Sequence, residues 1–379
     1  MSRLIPALLT VLATASLAQA GNWPQWRGPT GNSDTTETGL PLRWSETENV
    51  AWKCPLPDGA STPAIWGDAI FVTAQDGETL LLVRIDTGTG RVVWQRPVGS
   101  GSVERSAPPR RAEETPRQKF HKLHNLASPS PATDGEVVVA HFGNGDLAGF
   151  DFAGKQLWRH NLQQDYGRFT IWWGHANSPV LYRDLVIAVC MQDSLVDLGL
   201  PRAESYLAAY DKRTGELRWK TPRQTVATAE QCDAYTTPVF RTVDGRDELV
   251  VMGGNQLDAY DPATGKPLWS LPGLTGNRTI TGPTLADGLV YTTIGMRGAI
   301  LCVRPPQAGS SPEVLWRHEK YSPDSPCPVV TRGLLFTVSD NGFAQCLDAK
   351  TGQVHWQERL QGTSRRRRWP PRAASTSSA

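Results

Sequence analysis

The sequence predicts an all-β protein in which one four-stranded antiparallel unit is recognisable six times. Three observations carry this. The 379 residues include 14 Trp, 35 Gly and 29 Pro but only 4 Met. That mixture belongs to many short strands joined by tight turns, each with a large apolar anchor. An Asp-x-x-Thr-Gly-x-x-x-Trp motif recurs along the chain, and a small residue followed by Pro recurs beside it. No unit shows an apolar period of 3.6 residues, which excludes helical solenoids.

Taken in order, residues 1–20 read as a signal peptide. Arg3 gives a positive start, Leu4 to Leu17 is an apolar run, and Ala18-Gln19-Ala20 places small residues for cleavage. The run is too short for a stable membrane span, and no Cys follows the cleavage site to carry a lipid. The other reading is a short N-terminal anchor. The mature chain is therefore expected to be exported, to the periplasm or cell envelope, with no stable membrane anchor. Residues 21–48 form an N-terminal extension, residues 49–363 the repeated body, and residues 364–379 an Arg-rich tail. Within the body, Asn49-Val-Ala-Trp52 reads as a lone outermost strand.

The repeat proper starts at Asp86-Thr-Gly-Thr-Gly90-Arg-Val-Val-Trp94 and returns at Asp211 to Trp219, Asp261 to Trp269 and Asp348 to Trp356. Asp151 to Trp158 is one residue shorter, and a sixth copy ending at Trp316 has lost its turn to Pro305-Pro306 and the residues after it. The anchors Trp94, Trp158, Trp219, Trp269, Trp316 and Trp356 recur at irregular intervals of roughly 40–65 residues, the spacing of a solenoid, propeller or array. Each part has a task. The Asp accepts hydrogen bonds from turn N–H groups, the Gly takes a left-handed position, and the Trp packs between neighbouring sheets.

Pro63, Pro131, Pro179, Pro238, Pro283 and Pro328 set a second register, preceded by Thr62, Ser130, Ser178, Thr237, Gly282 and Cys327. After each Pro come a short turn, an apolar strand such as Val137 to Ala140, a second turn such as Gly143-Asn-Gly145, and a strand into the Asp turn. Four antiparallel strands per unit, arranged radially, make a β-propeller blade.

The motif copies resemble the PQQ-type (pyrroloquinoline-quinone) propeller repeat, from Asn49 to Gln361. Asn22-Trp-Pro-Gln-Trp-Arg-Gly28 and Trp173-Gly-His-Ala-Asn-Ser-Pro179 are similar to segments of exported PQQ-like or BamB-like bacterial propellers. The resemblance implies an exported β-propeller, usually of eight blades, acting as a non-catalytic scaffold with a protein partner in the cell envelope. The alternative it implies is a quinoprotein-type oxidoreductase holding PQQ and Ca²⁺ at the channel mouth. Those enzymes resemble one another in holding the quinone between a vicinal Cys pair and a Trp, in binding Ca²⁺ through acidic and Asn side chains, and in using an Asp as the base. Here Cys54, Cys190, Cys232, Cys302, Cys327 and Cys346 are scattered, with no vicinal pair and no C-x-x-C. They read as buried small hydrophobes rather than as metal or haem ligands. No cofactor and no metal are expected under the scaffold reading.

Six blades leave the C-terminal blades of an eight-bladed ring missing. Where the next unit should begin, the chain turns to Ser364, Arg365 to Arg368 and a Ser/Ala tail. A basic binding arm, a disordered tail and out-of-frame translation compete for it, and the abrupt stop favours truncation or a frame error. The formal charge of +2 gives no reason to expect nucleic acid. Six arginines (Arg3, Arg365 to Arg368 and Arg372) lie in the two terminal segments, so the body is mildly acidic.

Innermost strands line a propeller's channel, and the proline register picks out the residues that approach it. His175, Asp233, Arg278 and Asp324 fall within one residue of the same offset in consecutive units, with His124, Asn125, Trp173 and Asn177 beside them. This polar ring reads either as a water-filled structural channel or as a ligand site. No catalytic residue is assigned, because no G-x-S-x-G, phosphate loop or dinucleotide fingerprint is present. His121 and His124 have helical metal-pair spacing but follow a charged insert (Val103 to Lys119) and read as a solvated loop. A second insertion, Met191 to Ser205, carries Leu195, Val196, Leu198 and Leu200, either a docking surface or a fold-back.

Overall fold

The computed structural model describes residues 21–360, apart from 102–123, 172, 197–198, 296 and 308–309. Residues 1–20, the charged insert from Val103 to Lys119, His121, Leu198 and the Arg-rich tail lie outside the described residues. Among the described residues the chain is all-β, 3% helical, and forms six four-stranded antiparallel sheets, the blades of a β-propeller.

Each sheet is an up-and-down meander. Blade 1 is β1 (Ala64–Trp66), β2 (Ala69–Asp76), β3 (Thr79–Asp86) and β4 (Val92–Ser100). Blade 2 is β5 (Ala132–Thr133), β6 (Val137–His141), β7 (Asp146–Asp151) and β8 (Gln156–Asn161), followed by the one α-helix among the described residues, α1 (Leu162–Tyr166). Blade 3 is β9 (Val180–Tyr182), β10 (Leu185–Cys190), β11 (Tyr206–Asp211) and β12 (Leu217–Pro222). Blade 4 is β13 (Val239–Val243), β14 (Arg246–Gly253), β15 (Gln256–Tyr260) and β16 (Pro267–Leu271). Blade 5 is β17 (Thr284–Ala286), β18 (Leu289–Thr293), β19 (Ile300–Arg304) and β20 (Glu313–His318), and blade 6 is β21 (Val329–Thr331), β22 (Leu334–Val338), β23 (Phe343–Asp348) and β24 (Val354–Arg359).

The core lies between the blades. Phe71, Leu82 and Trp94 of blade 1 pack with Val138, Phe142 and Phe150 of blade 2, and similar buried clusters fill the next four junctions. A sixth cluster covers the other face of blade 1, where Trp52 and Cys54 pack on Ile70, Val72 and Val83.

The repeated Trp makes the joint. Trp94 Nε1 donates to the Phe152 carbonyl of the next blade's Asp turn at 3.1 Å, Trp158 to Lys212 at 2.8 Å, Trp219 to Pro262 at 3.2 Å and Trp316 to Ala349 at 3.0 Å. Trp52 does the same for blade 1, donating to Thr87 at 2.8 Å. Each indole lies on the turn glycine. A Cβ on Gly90 would stand 2.3 Å from Trp52, and one on Gly215 2.7 Å from Trp158. Both glycines also have φ near +70°, so two independent reasons require Gly there.

The Asp holds the turn that offers the carbonyl. Asp86 Oδ1 accepts from Thr89 N at 2.7 Å, and Asp348 Oδ1 from Thr351 N at 2.8 Å. In Asp211 the Arg218 side chain, followed by turn N–H groups, holds the carboxyl down at about 2.

Where the repeat loses its turn, the joint changes. Blade 5 has no Asp turn to receive Trp269, whose indole N–H turns back to Glu248 Oε2 at 2.8 Å. Glu248 is fully buried and also accepts from Arg241 at 2.7 Å and Arg246 at 2.8 Å. Trp356 of blade 6 is 44% exposed.

In all six blades the pairing of the two outer strands slips by one residue just before the anchor. Arg84 faces Trp94 while Ile85 faces Val92, leaving Val93 as a bulge, and the equivalent slip occurs at Ala209/Tyr210 and Cys346/Leu347. The bulge sets which face of the strand the indole occupies.

The small residues before the register prolines also have a role. Thr62 N donates to Ser130 Oγ at 2.9 Å, Ser130 N to Ser178 Oγ at 2.9 Å, and Ser178 N to Thr237 Oγ1 at 3.3 Å. A ladder of hydroxyls thus passes around the axis from blade 1 to blade 4. It stops at Gly282 and Cys327, which have no hydroxyl.

The N-terminal extension is built into the ring. Trp23 and Ile65 exchange backbone hydrogen bonds at 2.9 and 2.7 Å, Thr133 N donates to the Pro24 carbonyl at 2.8 Å, and Leu285 N donates to Asn32 Oδ1 at 2.9 Å. Asn22 Oδ1 accepts from Gly67 in the β1–β2 turn, so the segment enters from that side.

Trp158→Ala should lower the unfolding free energy by about 3–5 kcal/mol, whereas Trp356→Ala should lower it by less than about 1 kcal/mol. Urea unfolding checks this, and equal losses would contradict the joint.

Candidate functional site

The loops that lead into the innermost strands converge at the end of the channel opposite the β1–β2 turns. They bring some of the candidate residues together and separate others.

Trp173, Arg278 and Asp324 meet. Arg278 Nη1 donates to Glu230 Oε1 at 3.0 Å and Nη2 to Asp324 Oδ2 at 3.4 Å. Trp173 Nε1 donates to the same Glu230 oxygen at 3.0 Å, and its backbone N–H donates to Tyr235 Oη at 3.2 Å. Asp340, from the β22–β23 turn, accepts from Asp324 N at 2.7 Å and Ser325 N at 3.1 Å. Blades 3 to 6 are thereby linked by one network whose ionic members stay partly exposed: side-chain exposure is 17% for Arg278 and 29% for Glu230. Short backbone pairing holds the two central loops, with Tyr235 N donating to Thr279 O and Thr279 N to Asp233 O.

His175, Asn177 and Asp233 are fully buried below this mouth. The His175 ring lies between Phe169, at 4.8 Å, and His141, at 4.6 Å between centroids. Asn177 Nδ2 donates to the carbonyls of Ala234 and Thr236 at 3.1 and 2.7 Å, joining blades 3 and 4. Its own carbonyl oxygen accepts from His141 Nδ1 at 3.2 Å, which fixes the Nδ1–H tautomer. Burial holds His141 down at about 4 and pushes the Tyr235 phenol and Cys232 thiol up.

His124 and Asn125 lie apart, between blades 1 and 2. With Asp58, Gln75 and Leu126 they line an open cavity of about 500 Å³. His124 Nδ1 is hydrogen-bonded to Ser128 Oγ. The Met191–Ser205 insertion is pinned at its base, where Gln192 N donates to Ser205 Oγ and Ala203 N to Ser194 O, and it exposes Val196 and Leu200 at 37% and 41%.

Sequence reasoning missed Glu230, Tyr235 as a phenol acceptor, Asp340 and His141. Glu230 belongs to a one-turn helix, Ala229–Cys232, that carries it back over Arg278, and nothing in the proline register encodes that turn. His141 ends an otherwise apolar strand, the one signal available for it.

A PQQ and calcium site can be tested against these residues. Among the described residues no three or more His, Cys, Asp or Glu side chains are grouped to hold a metal ion. The Trp173 indole is committed to Glu230, and the six cysteines are free and dispersed. Among the described residues, the donors such a group requires are not brought together.

The family described as outer membrane protein assembly factor BamB matches residues 35–204, 203–300 and 297–370. No curated protein matches the chain. Similar solved structures include BamB from Moraxella catarrhalis, 15% identical over 82% of this chain and 78% of that one, with a TM-score of 0.52. Others are a quinohemoprotein alcohol dehydrogenase from Comamonas testosteroni (13%, 92% and 74%, TM-score 0.48) and a europium-containing methanol dehydrogenase (14%, 82% and 79%, TM-score 0.44). The first of these shows the propeller fold.

The buried histidine has a measurable signature. An unfolded His takes its proton near pH 6.5, whereas His141 in the folded chain refuses it until about pH 4. The unfolded state therefore binds the extra proton between those values, and stability falls as the pH drops through that window, by up to about 3 kcal/mol. Unfolding free energies of wild type and His141→Gln should diverge below about pH 6.5, the wild type losing more; parallel curves would contradict the assignment.

Proposed function

Because the chain belongs to the family of outer membrane protein assembly factor BamB, we propose that it is an exported, non-catalytic propeller that binds a protein partner in the periplasm or cell envelope. One observation carries the reading. The polar side chains at the channel mouth are committed to one another: Arg278 is bracketed by Glu230 and Asp324, and the Trp173 indole is bonded to Glu230. Such a network fixes loop geometry and presents a rigid, charged rim of partly exposed groups. Rims of this kind set orientation and association rate in protein complexes more than they set affinity.

A quinone enzyme would demand something else of these residues. It needs an aromatic face left open for stacking, and six to eight oxygen ligands converging on calcium. The side chains here support a binding rim better than such a pocket. The localisation rests on the same likeness, together with the N-terminal Ala-x-Ala sequence.

Two measurements test the proposal. Tagged full-length protein should recover a discrete envelope protein from cross-linked extract, and the combined Glu230→Ala and Arg278→Ala variant should lose at least about 1.4 kcal/mol of that binding, a tenfold change. Purified protein mixed with PQQ and calcium chloride should retain no quinone absorbance after desalting. Stoichiometric retention with alcohol-dependent dye reduction would overturn the scaffold reading in favour of the oxidoreductase.

A further inference from the structure

At the inner ends of blades 5 and 6 the hydroxyl ladder that links blades 1 to 4 has run out. Gly282 and Cys327 stand where Thr62, Ser130, Ser178 and Thr237 stand in the other blades. A cage of acceptors is left at that point: the carbonyls of Gly282, Pro283 and Pro328 and the Thr284 hydroxyl.

Arg27 fills the cage. Its Nη1 donates to Pro283 O at 2.9 Å and to Gly282 O at 3.5 Å. Its Nη2 donates to Pro328 O at 3.0 Å and to Thr284 Oγ1 at 2.5 Å, and its Nε donates to Ser33 Oγ at 3.3 Å. Five donors meet five acceptors, and the residue is 3% exposed. Its backbone is held at φ 67°, a left-handed value uncommon for a residue with a side chain. On either side the segment pairs with the ring through main chain, at Ile65 and Thr133, and through Asn32 to Leu285.

We propose that these acceptors form a guanidinium-selective seat inside a peptide-binding channel, and that the chain's own residues 22–33 occupy it with Arg27 as the pin. The ligand class is an extended peptide carrying an arginine. Selectivity follows from shape: the acceptors sit on two different blades and match the planar fork of a guanidinium, whereas an ammonium has three donors from a single point. Flanking main-chain pairing is the usual partner of such a side-chain pocket in peptide recognition.

Cys327 provides the readout, since it is half-buried and lies within electrostatic reach of the Arg27 guanidinium. In full-length Arg27→Ala and Arg27→Lys proteins, alkylation of Cys327, located by mass spectrometry, should speed up by about tenfold as the seat opens locally. Cys190 and Cys302, buried inside blades 3 and 5, should stay unlabelled and report an intact fold. Millimolar methylguanidinium should return the Ala variant toward the wild-type rate, and methylammonium should not. Wild-type labelling in both variants, or equal effects of the two cations, would overturn the proposal. Should Arg27→Ala fail to fold, Asn32→Ala keeps the guanidinium while removing the contact to Leu285. Its Cys327 should label a few-fold faster than wild type, and an unchanged rate would equally overturn the seat.

Discussion

One joint, repeated, holds this ring: an indole lying on the turn glycine of the next blade and donating its N–H to the neighbouring carbonyl. The joint combines an apolar area of roughly 150–250 Å² with a directed hydrogen bond, so it sets both the distance and the rotation between blades. Everything closer to the axis depends on that spacing. The hydroxyl ladder from Thr62 to Thr237 reaches across junctions of a single size, and the loops around Arg278 meet only because four blades are held at a fixed pitch.

The exceptions show what the joint requires. Blade 5 has lost its Asp turn, and the unmatched indole of Trp269 finds a carboxylate on its own blade. That carboxylate is buried and is tolerated because Arg241 and Arg246 neutralise it and three donors satisfy it. At the other end of the array, Trp52 supplies the missing neighbour for blade 1 from a segment that belongs to no complete sheet. The chain keeps the joint wherever a turn exists to receive it.

Much of this was legible in the sequence because the repeat is local. Asp, Gly and Trp act within one turn and one strand, so their spacing survives in the linear pattern, and six blades follow from six anchors. The proline register likewise singled out Arg278 and Asp324, which the structure brings within reach of each other. Contacts that join distant segments left no such trace. Glu230 reaches Arg278 by way of an irregular turn. Arg27 reaches blades 5 and 6 across more than 250 residues, from a segment whose Trp-Pro-Gln-Trp-Arg string identified a family without indicating a position. His124 and Asn125 stand two to three residues further from their proline than His175 does from its own, and they line the cavity beside Asp58 and Gln75 instead.

The bulge before each anchor has a further consequence. A propeller of separate sheets carries one outermost edge strand per blade, and each such edge is a row of backbone groups open to pairing with another chain. In every blade described, the ladder behind that edge is broken at the same point, one residue before the Trp. A visiting strand would find a kinked template with one residue too many in its middle. The slip before each anchor therefore also makes the outer edge of each blade a poorer template for a visiting strand.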